Sequence, residues 1–188
     1  MSEQREGLRW TLRDKTREAH KALDVTVTGL DISTRDGLYA FLAGNALAHA
    51  ALEPFDFEFD GHMARRRGLI ERDMDALGTQ APDIPMGFVP PTEATAPGYR
   101  YVIAGSAMGG RILARRHASS PDASIHGAGH LLGDAFLGDY WQDVQAELGK
   151  LPDEGPEAAA VIDGANACFD LFATAFDAAR TRQDLAAE

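Results

Sequence analysis

The stretch GYRYVIAGSAMGGRILARR, residues 98–116, has the composition of one long helix but carries Gly105, Gly109 and Gly110 in its middle. Each glycine inside a helix costs about 1 kcal/mol relative to alanine, so these three cost roughly 3 kcal/mol. A glycine lets another group come close to the backbone because it has no side chain. The stretch therefore predicts either tight packing against another helix or close contact with a ligand.

The remainder of the chain is also helical in pattern, and we predict six helices around one core, an all-α bundle. Apolar residues recur at helical spacing, and the tetrapeptide Ser-Thr-Arg-Asp at 33–36 has the pattern of a capping box. A helix is expected from this cap to about Glu53. The other predicted helices cover residues 6–23, 63–78, 97–117, 139–148 and 156–182.

Five prolines from Pro82 to Pro97 exclude a continuous helix in that segment. The segment also contains apolar residues, among them Ile84 and Phe88, which a free linker would lack. It is therefore expected to be an ordered loop within the domain.

The composition limits the class of protein. With 188 residues, of which 45% are hydrophobic, the chain suits a single domain over residues 1–188. A net charge of −11 opposes binding to nucleic acid or to anionic membranes. The amino-terminal residues contain no apolar run, and no uninterrupted stretch of 18 apolar residues occurs. We expect a cytosolic protein with neither nucleic acid nor membrane as a partner.

The single cysteine and one histidine pair are candidate reactive or metal-binding groups. Cys168 is flanked by Ala167 and Phe169 in a helical pattern and is expected to be a buried apolar residue. His126 and His130 have the spacing of a helical metal pair, but no third ligand is identifiable nearby. A surface or capping role is favoured for both histidines.

The first predicted helix presents a polar trio on one face. At 100° per residue, Arg13, His20 and Asp24 fall within roughly 40° of one another. The Asp24 carboxylate can accept a proton from one nitrogen of the His20 ring and leave the other nitrogen free for a metal. Arg13 can reach an anionic group on the same ligand. A single helical histidine is also often a packed or surface residue, so the trio alone leaves both interpretations open.

Together, the histidine and the glycines favour a flat, apolar ligand that carries a metal. Such a ligand needs a histidine on one side and a closely approaching backbone on the other. The residues 12–24, LRDKTREAHKALD, resemble the amino-terminal motif of the bacterial, biliverdin-producing heme oxygenases. Residues 101–116, YVIAGSAMGGRILARR, resemble the distal-helix motif of the same family. The segment RRRGLIERDM at 65–74, the helix of Trp141 and a long carboxy-terminal helix follow in a similar order.

The resemblance implies a heme-oxygenase-like helical bundle that uses heme as both substrate and cofactor. The implied reaction consumes O₂ and electrons from an external donor of the ferredoxin or reductase type, and it yields biliverdin, CO and iron. The acidic surface would suit a donor with a basic patch. The implied site residues are His20 as iron ligand, Asp24 as its partner, Arg13 at a heme propionate, Gly105, Gly109 and Gly110 as the distal wall, and Ser106 in the distal polar network.

The sequence departs from the family pattern at Ala104, where bacterial members often carry a glutamate. A second basic residue for the other propionate is not obvious. Candidates by residue type alone are Arg111, Arg115, Arg116 and Lys150, and basic residues on a helix exterior are more often simply solvated. Two alternatives therefore accompany the enzyme hypothesis. One is a protein of the same fold that binds heme or another ligand without cleaving it, as a sensor or carrier, and the other is a heme-free helical protein.

Overall fold

Helices form all the regular structure in the part of the chain that this computed structural model describes, residues 7–134 and 136–186. The side chains of residues 107, 108, 137 and 182–186 are not described. No strand occurs among the described residues, so the predicted all-α class is confirmed. The α-helices in these ranges are α1 (Leu8–Lys15), α2 (Arg17–Thr28), α3 (Arg35–Leu52), α4 (His62–Ala76), α5 (Ala96–Ala118), α6 (Phe136–Leu148) and α7 (Gly155–Ala186).

Helix α7 lies at the centre of the bundle. It packs against α1, α2, α3 and α5, while α6 covers α5 and α4 covers α3. Over Gly155–Thr181, α7 has the length and composition of a membrane span, the one such helix in the described ranges. Half of that window is buried, and contacts on several sides are those of a core helix.

The contact between α5 and α7 depends on small residues at the start of α5. A Cβ atom added to Gly98 would lie 2.0 Å from the carbonyl oxygen of Val161, and one added to Gly164 would lie 2.1 Å from that of Thr95. Neither position can hold a side chain without moving a backbone. Cys168 is fully buried in the same contact, as expected, and burial raises the pKa of its thiol.

Most predicted boundaries agree with the structure. The hydroxyl of Thr34 caps α3 by accepting a hydrogen bond from the Gly37 amide at 3.2 Å. Helix α4 ends just before Gly78, which has a φ of 63°. The proline-rich segment contains no regular element before α5 begins at Ala96, and its residues Ile84 and Phe88 pack on the core.

The first predicted helix was wrong in one respect, because it is two helices. Thr16, with φ −101°, separates α1 from α2, and its hydroxyl donates to the Leu12 carbonyl at 2.8 Å. The chain remains helical to Thr28, further than predicted. The predicted start at residue 6 lies outside the described residues. Glu53–Phe59 and Ala123–Ile125 are short 3₁₀ segments that the apolar pattern did not predict.

Candidate ligand-binding site

His20 and Asp24 form a pair on the exposed side of α2. Nδ1 of His20 lies 3.0 Å from Oδ2 of Asp24, and the side chains are 59% and 62% exposed. The carboxylate favours the tautomer with a proton on Nδ1, which leaves the Nε2 lone pair for another partner. Within the described part of the chain, Nε2 makes no hydrogen bond. The arrangement expected from the spacing is therefore present and is able to bind a metal.

The His20 ring is positioned by α7. It contacts the ring of Phe169 edge-on, with 5.7 Å between the ring centroids. One residue earlier on α7, Sγ of Cys168 lies 4.0 Å from the carbonyl oxygen of Tyr99 in α5. The same turn of α7 therefore touches both the histidine on α2 and the backbone of α5.

The second half of α5 presents an open face. A Cβ atom added to Gly109 or Gly110 would meet no described atom within 4 Å, and one added to Gly105 would meet only Trp141, at 3.7 Å. Gly105 and Gly109 point within about 40° of each other, whereas Gly110 points about 140° away from Gly105. Among the described atoms, no packing partner requires a glycine at Gly109 or Gly110, whereas Gly105 contacts Trp141 of α6. Gly105 and Gly109 share one face, and Gly110 lies outside it.

Helices α2 and α5 pack on α7 separately. Contact between α2 and α5 themselves is marginal at most among the described residues. One point of approach is the contact between Thr16, at the start of α2, and the phenol of Tyr101 in α5. The exposed side of α2 and the glycine face of α5 therefore belong to two helices that are joined mainly through α7.

Cationic residues from α1 gather at that contact. Burial raises the pKa of Tyr101, although the charges of Arg13 and Arg9 and the hydrogen bond with Thr16 act to lower it. Tyr101 is therefore a protonated phenol at neutral pH. The Arg13 guanidinium lies 5.6 Å from the ring of Trp10 and remains exposed. The exposed Arg13 guanidinium is thus available for an anionic group at this end, beside a phenol that is already bonded to Thr16.

Two other predicted positions do not present polar groups to the open face. The hydroxyl of Ser106 donates to the Ile103 carbonyl of its own helix at 2.7 Å. Ala104 is fully buried in the core, so an acidic side chain there would be buried as well.

A buried polar cluster, which the sequence pattern did not predict, connects α3, α4 and the residue two positions before α6. Nε of Arg66 donates to Nε2 of His49 at 2.8 Å, and Nδ1 of His49 donates to the Asn45 carbonyl at 2.7 Å. The Arg66 guanidinium also lies 3.3 Å from Asp134, which receives two hydrogen bonds from Arg65.

Burial determines the charge states in this cluster. It lowers the pKa of His49 to about 3, and the Arg66 charge adds to the effect. It also lowers the pKa of Arg66, to about 10. Burial alone would raise the pKa of Asp134, but the hydrogen bonds from Arg65 and the charges of both arginines lower it overall. At neutral pH, His49 is therefore neutral beside an ionised arginine–aspartate pair.

The cluster contacts α7, the helix that also contacts His20. The His49 ring packs edge-on against Phe172 of α7, with 5.7 Å between centroids, one turn from the phenylalanine that contacts His20. No periodicity could have revealed a cluster built from residues so distant in sequence. The only available signal was the presence of polar residues within otherwise apolar helical faces.

The predicted pair His126 and His130 holds the loop between α5 and α6 in place. Nδ1 of His130 lies 2.7 Å from Oδ1 of the buried Asp73, and Nε2 of His126 lies 3.0 Å from the Ser120 carbonyl oxygen. Their side chains thus tie the segment between α5 and α6 to the body of the protein. Among the described residues, no group of three or more histidine, cysteine or acidic residues has the arrangement of a metal site.

Comparison with known proteins agrees with this architecture. No protein-family model matches the sequence, and no curated protein sequence is similar to it at a significant level. A solved structure that is similar is the NO- and CO-bound heme oxygenase from Neisseria meningitidis, with a TM-score of 0.73 and 20% sequence identity over 92% of each chain. The chain therefore has the all-α fold found in heme oxygenase.

Proposed function

We propose that this protein is a heme oxygenase that cleaves heme to biliverdin, CO and iron with O₂ and an external electron donor of the ferredoxin or reductase type. The observation that carries the proposal is the open face of α5. Gly105, Gly109 and Gly110 lower helix stability, yet the described structure contains no packing partner that requires the last two. A flat ligand against the face that Gly105 and Gly109 share supplies this reason for Gly109, whereas Gly110 points away from that face.

The residues on the other side of the site suit a heme iron. His20 is held by Asp24 at Nδ1 and by Phe169 at the ring edge, so its Nε2 is the nitrogen available to the metal. Heme, when bound, supplies the iron that activates O₂ and the ring that is opened. The Asp24 carboxylate keeps the ligating imidazole in one tautomer and orientation.

The end of the site near Tyr101 suits the heme carboxylates. Arg13 supplies a permanent positive charge there, and the phenol of Tyr101 supplies a hydrogen-bond donor once it exchanges Thr16 for a ligand carboxylate. Sequence reasoning had assigned one propionate to Arg13 and no residue to the other. We assign Tyr101 to this carboxylate end.

The open face itself contributes geometry. With no side chain at Gly105 or Gly109, the α5 backbone would be able to lie close to a bound heme ring. Catalysis by such a site depends mainly on how the protein positions and shields the reacting group. In keeping with its acidic composition, we expect the protein in the cytoplasm without a nucleic acid or membrane partner.

A direct test starts with a hemin titration of the purified protein. The complex is then given a reductant and air while its absorption spectrum is recorded. The proposal expects a saturable heme band that decays as a biliverdin band grows, together with release of CO. A complex that binds hemin but never forms biliverdin would contradict it.

The second candidate is a protein that binds heme without cleaving it. The position of Ser106 favours this candidate, because its hydroxyl is bonded to its own helix rather than presented to the ligand. A stable ferrous or oxygenated spectrum in the same experiment would support it. If no saturable heme band forms, a heme-free role is indicated.

A further inference from the structure

The side chain of Trp141 in α6 marks one end of the open face of α5. Its Cζ3 atom would lie 3.7 Å from a Cβ atom on Gly105, which is van der Waals contact. One helical turn further on, the equivalent position at Gly109 meets no described atom within 4 Å. The edge of the Trp141 ring therefore stands where the open surface begins.

The Trp141 ring is braced on two sides. Its centroid lies 5.7 Å from that of Tyr101, and the Arg9 guanidinium lies 5.7 Å from it on the side of α1. Arg9 is itself held by a hydrogen bond of 2.6 Å to Oε1 of Gln145. A ring fixed by an aromatic contact and a cation–π contact moves less than an exposed side chain.

At the other end of the open face, the described side chain is that of Ile112. Ile112 lies seven residues beyond Gly105, about 10 Å along the helix, and points within about 20° of it. Its side chain is 57% exposed. The Trp141 ring thus limits the open face at one end, and the exposed side chain of Ile112 borders it at the other.

We propose that Trp141 determines the in-plane orientation of the bound heme, and with it which meso carbon is attacked. This inference rests on the proposed function. The meso carbons of heme are chemically similar, so the protein distinguishes them only by the rotation of the ring in the site. Arg13 is exposed, and a charge contact from such a long side chain tolerates rotation of the ligand. A fixed ring edge against the rim of the macrocycle does not.

The test uses Trp141→Phe, which removes the six-membered ring carrying Cζ3 but keeps an aromatic group beside Tyr101 and Arg9. The matched control is Trp10→Phe, since Trp10 of α1 also contacts Arg9, at 5.0 Å, and phenylalanine keeps an aromatic ring beside both Arg9 and Arg13. Each protein is loaded with hemin and converted to the ferric cyanide complex. The proton NMR signals of the heme methyl groups then report the orientation without any turnover.

We expect one dominant methyl pattern in the wild type and in Trp10→Phe. In Trp141→Phe, the ratio of the dominant in-plane orientation to the other orientations should shift by about tenfold, equivalent to about 1.4 kcal/mol. The isomers of biliverdin should shift in the same direction. Gly105→Ala, which adds a methyl group beside the ring edge, is a second variant and should also change the pattern.

The possible outcomes distinguish a failure of this inference from a failure of the proposed function. If the wild type forms no hemin complex, both are overturned. If the wild type binds and cleaves heme but the methyl pattern is unchanged in Trp141→Phe and in Gly105→Ala, only the inference is overturned.

Discussion

Gly98 and Gly109 lie on the same helix, α5, but in different surroundings. At Gly98, an added Cβ atom would lie 2.0 Å from a backbone oxygen of α7, whereas at Gly109 it would meet no described atom within 4 Å. Glycine at the first position is explained by helix packing. At Gly109, glycine costs helix stability, and no described packing contact explains it. The difference shows that the two hypotheses offered for these glycines, packing and ligand contact, apply to separate parts of one helix.

The comparison predicts the largest loss of stability at the closed end. Gly98→Ala forces a methyl group into the α7 backbone, and we expect it to lower the free energy of unfolding by about 3 kcal/mol or more. Urea denaturation of the protein without ligand measures this. Gly164→Ala, its counterpart on α7, should act in the same way. Stability equal to the wild type in both variants would contradict the packing assignment.

The next largest loss of stability is expected on acidification, through the buried side chain of His49. The pKa of buried His49 is about 3, below the unfolded value of 6.5, so the unfolded chain binds more protons between these values. Stability should therefore fall as the pH drops below 6.5. Between pH 7 and pH 5, this one group contributes a loss of about 2 kcal/mol.

His49→Gln tests the origin of the acid effect. The free energy of unfolding of this variant should change less between pH 7 and pH 5 than that of the wild type. Burial also lowers the pKa of His62, which adds a change of the same sign. His62→Gln is therefore measured beside it, so that the two contributions to the pH dependence are separated. An unchanged pH dependence in His49→Gln would show that His49 is not the group responsible.

At the open end, the sign of the effect should reverse. Gly109→Ala and Gly110→Ala each gain helix propensity without a described clash, so the protein without ligand should become more stable by up to about 1 kcal/mol. Thermal unfolding of both variants beside Gly98→Ala measures the contrast. A loss of stability at either position would mean that the open face is occupied by the protein itself.

The smallest effect on stability is expected at the pair on α2. His20→Ala removes an exposed contact with Asp24, and such pairs contribute about 0–1 kcal/mol. Stability should therefore hardly change. The hemin spectrum should lose its histidine-ligated form, and added imidazole should restore it. A spectrum identical to the wild type would exclude His20 as the iron ligand.

Local signals in the sequence predicted much of the fold. The cap before α3, the prolines ahead of α5 and the glycine after α4 each act through neighbouring residues. The break at Thr16 was missed because the apolar pattern continues across it. The 3₁₀ segment after α3 was missed because its phenylalanines alternate with acidic residues without a helical period.

The same distinction applies to the candidate site, where contacts set by local spacing were predicted and contacts set by helix packing were not. The contact between His20 and Asp24 follows from their spacing of four residues, and the sequence predicted it. The hydrogen bond between Arg66 and His49 and the position of Trp141 beside Gly105 depend on how the helices pack. Such contacts between distant segments leave no periodic trace in one sequence.

The most direct test of the account is the affinity of Gly109→Ala for hemin, measured by titration beside the wild type. The account predicts that this variant, although at least as stable as the wild type without ligand, binds hemin at least about tenfold more weakly, a change of about 1.4 kcal/mol. Equal affinity in the two proteins would contradict the claim that the open face of α5 exists to receive a heme.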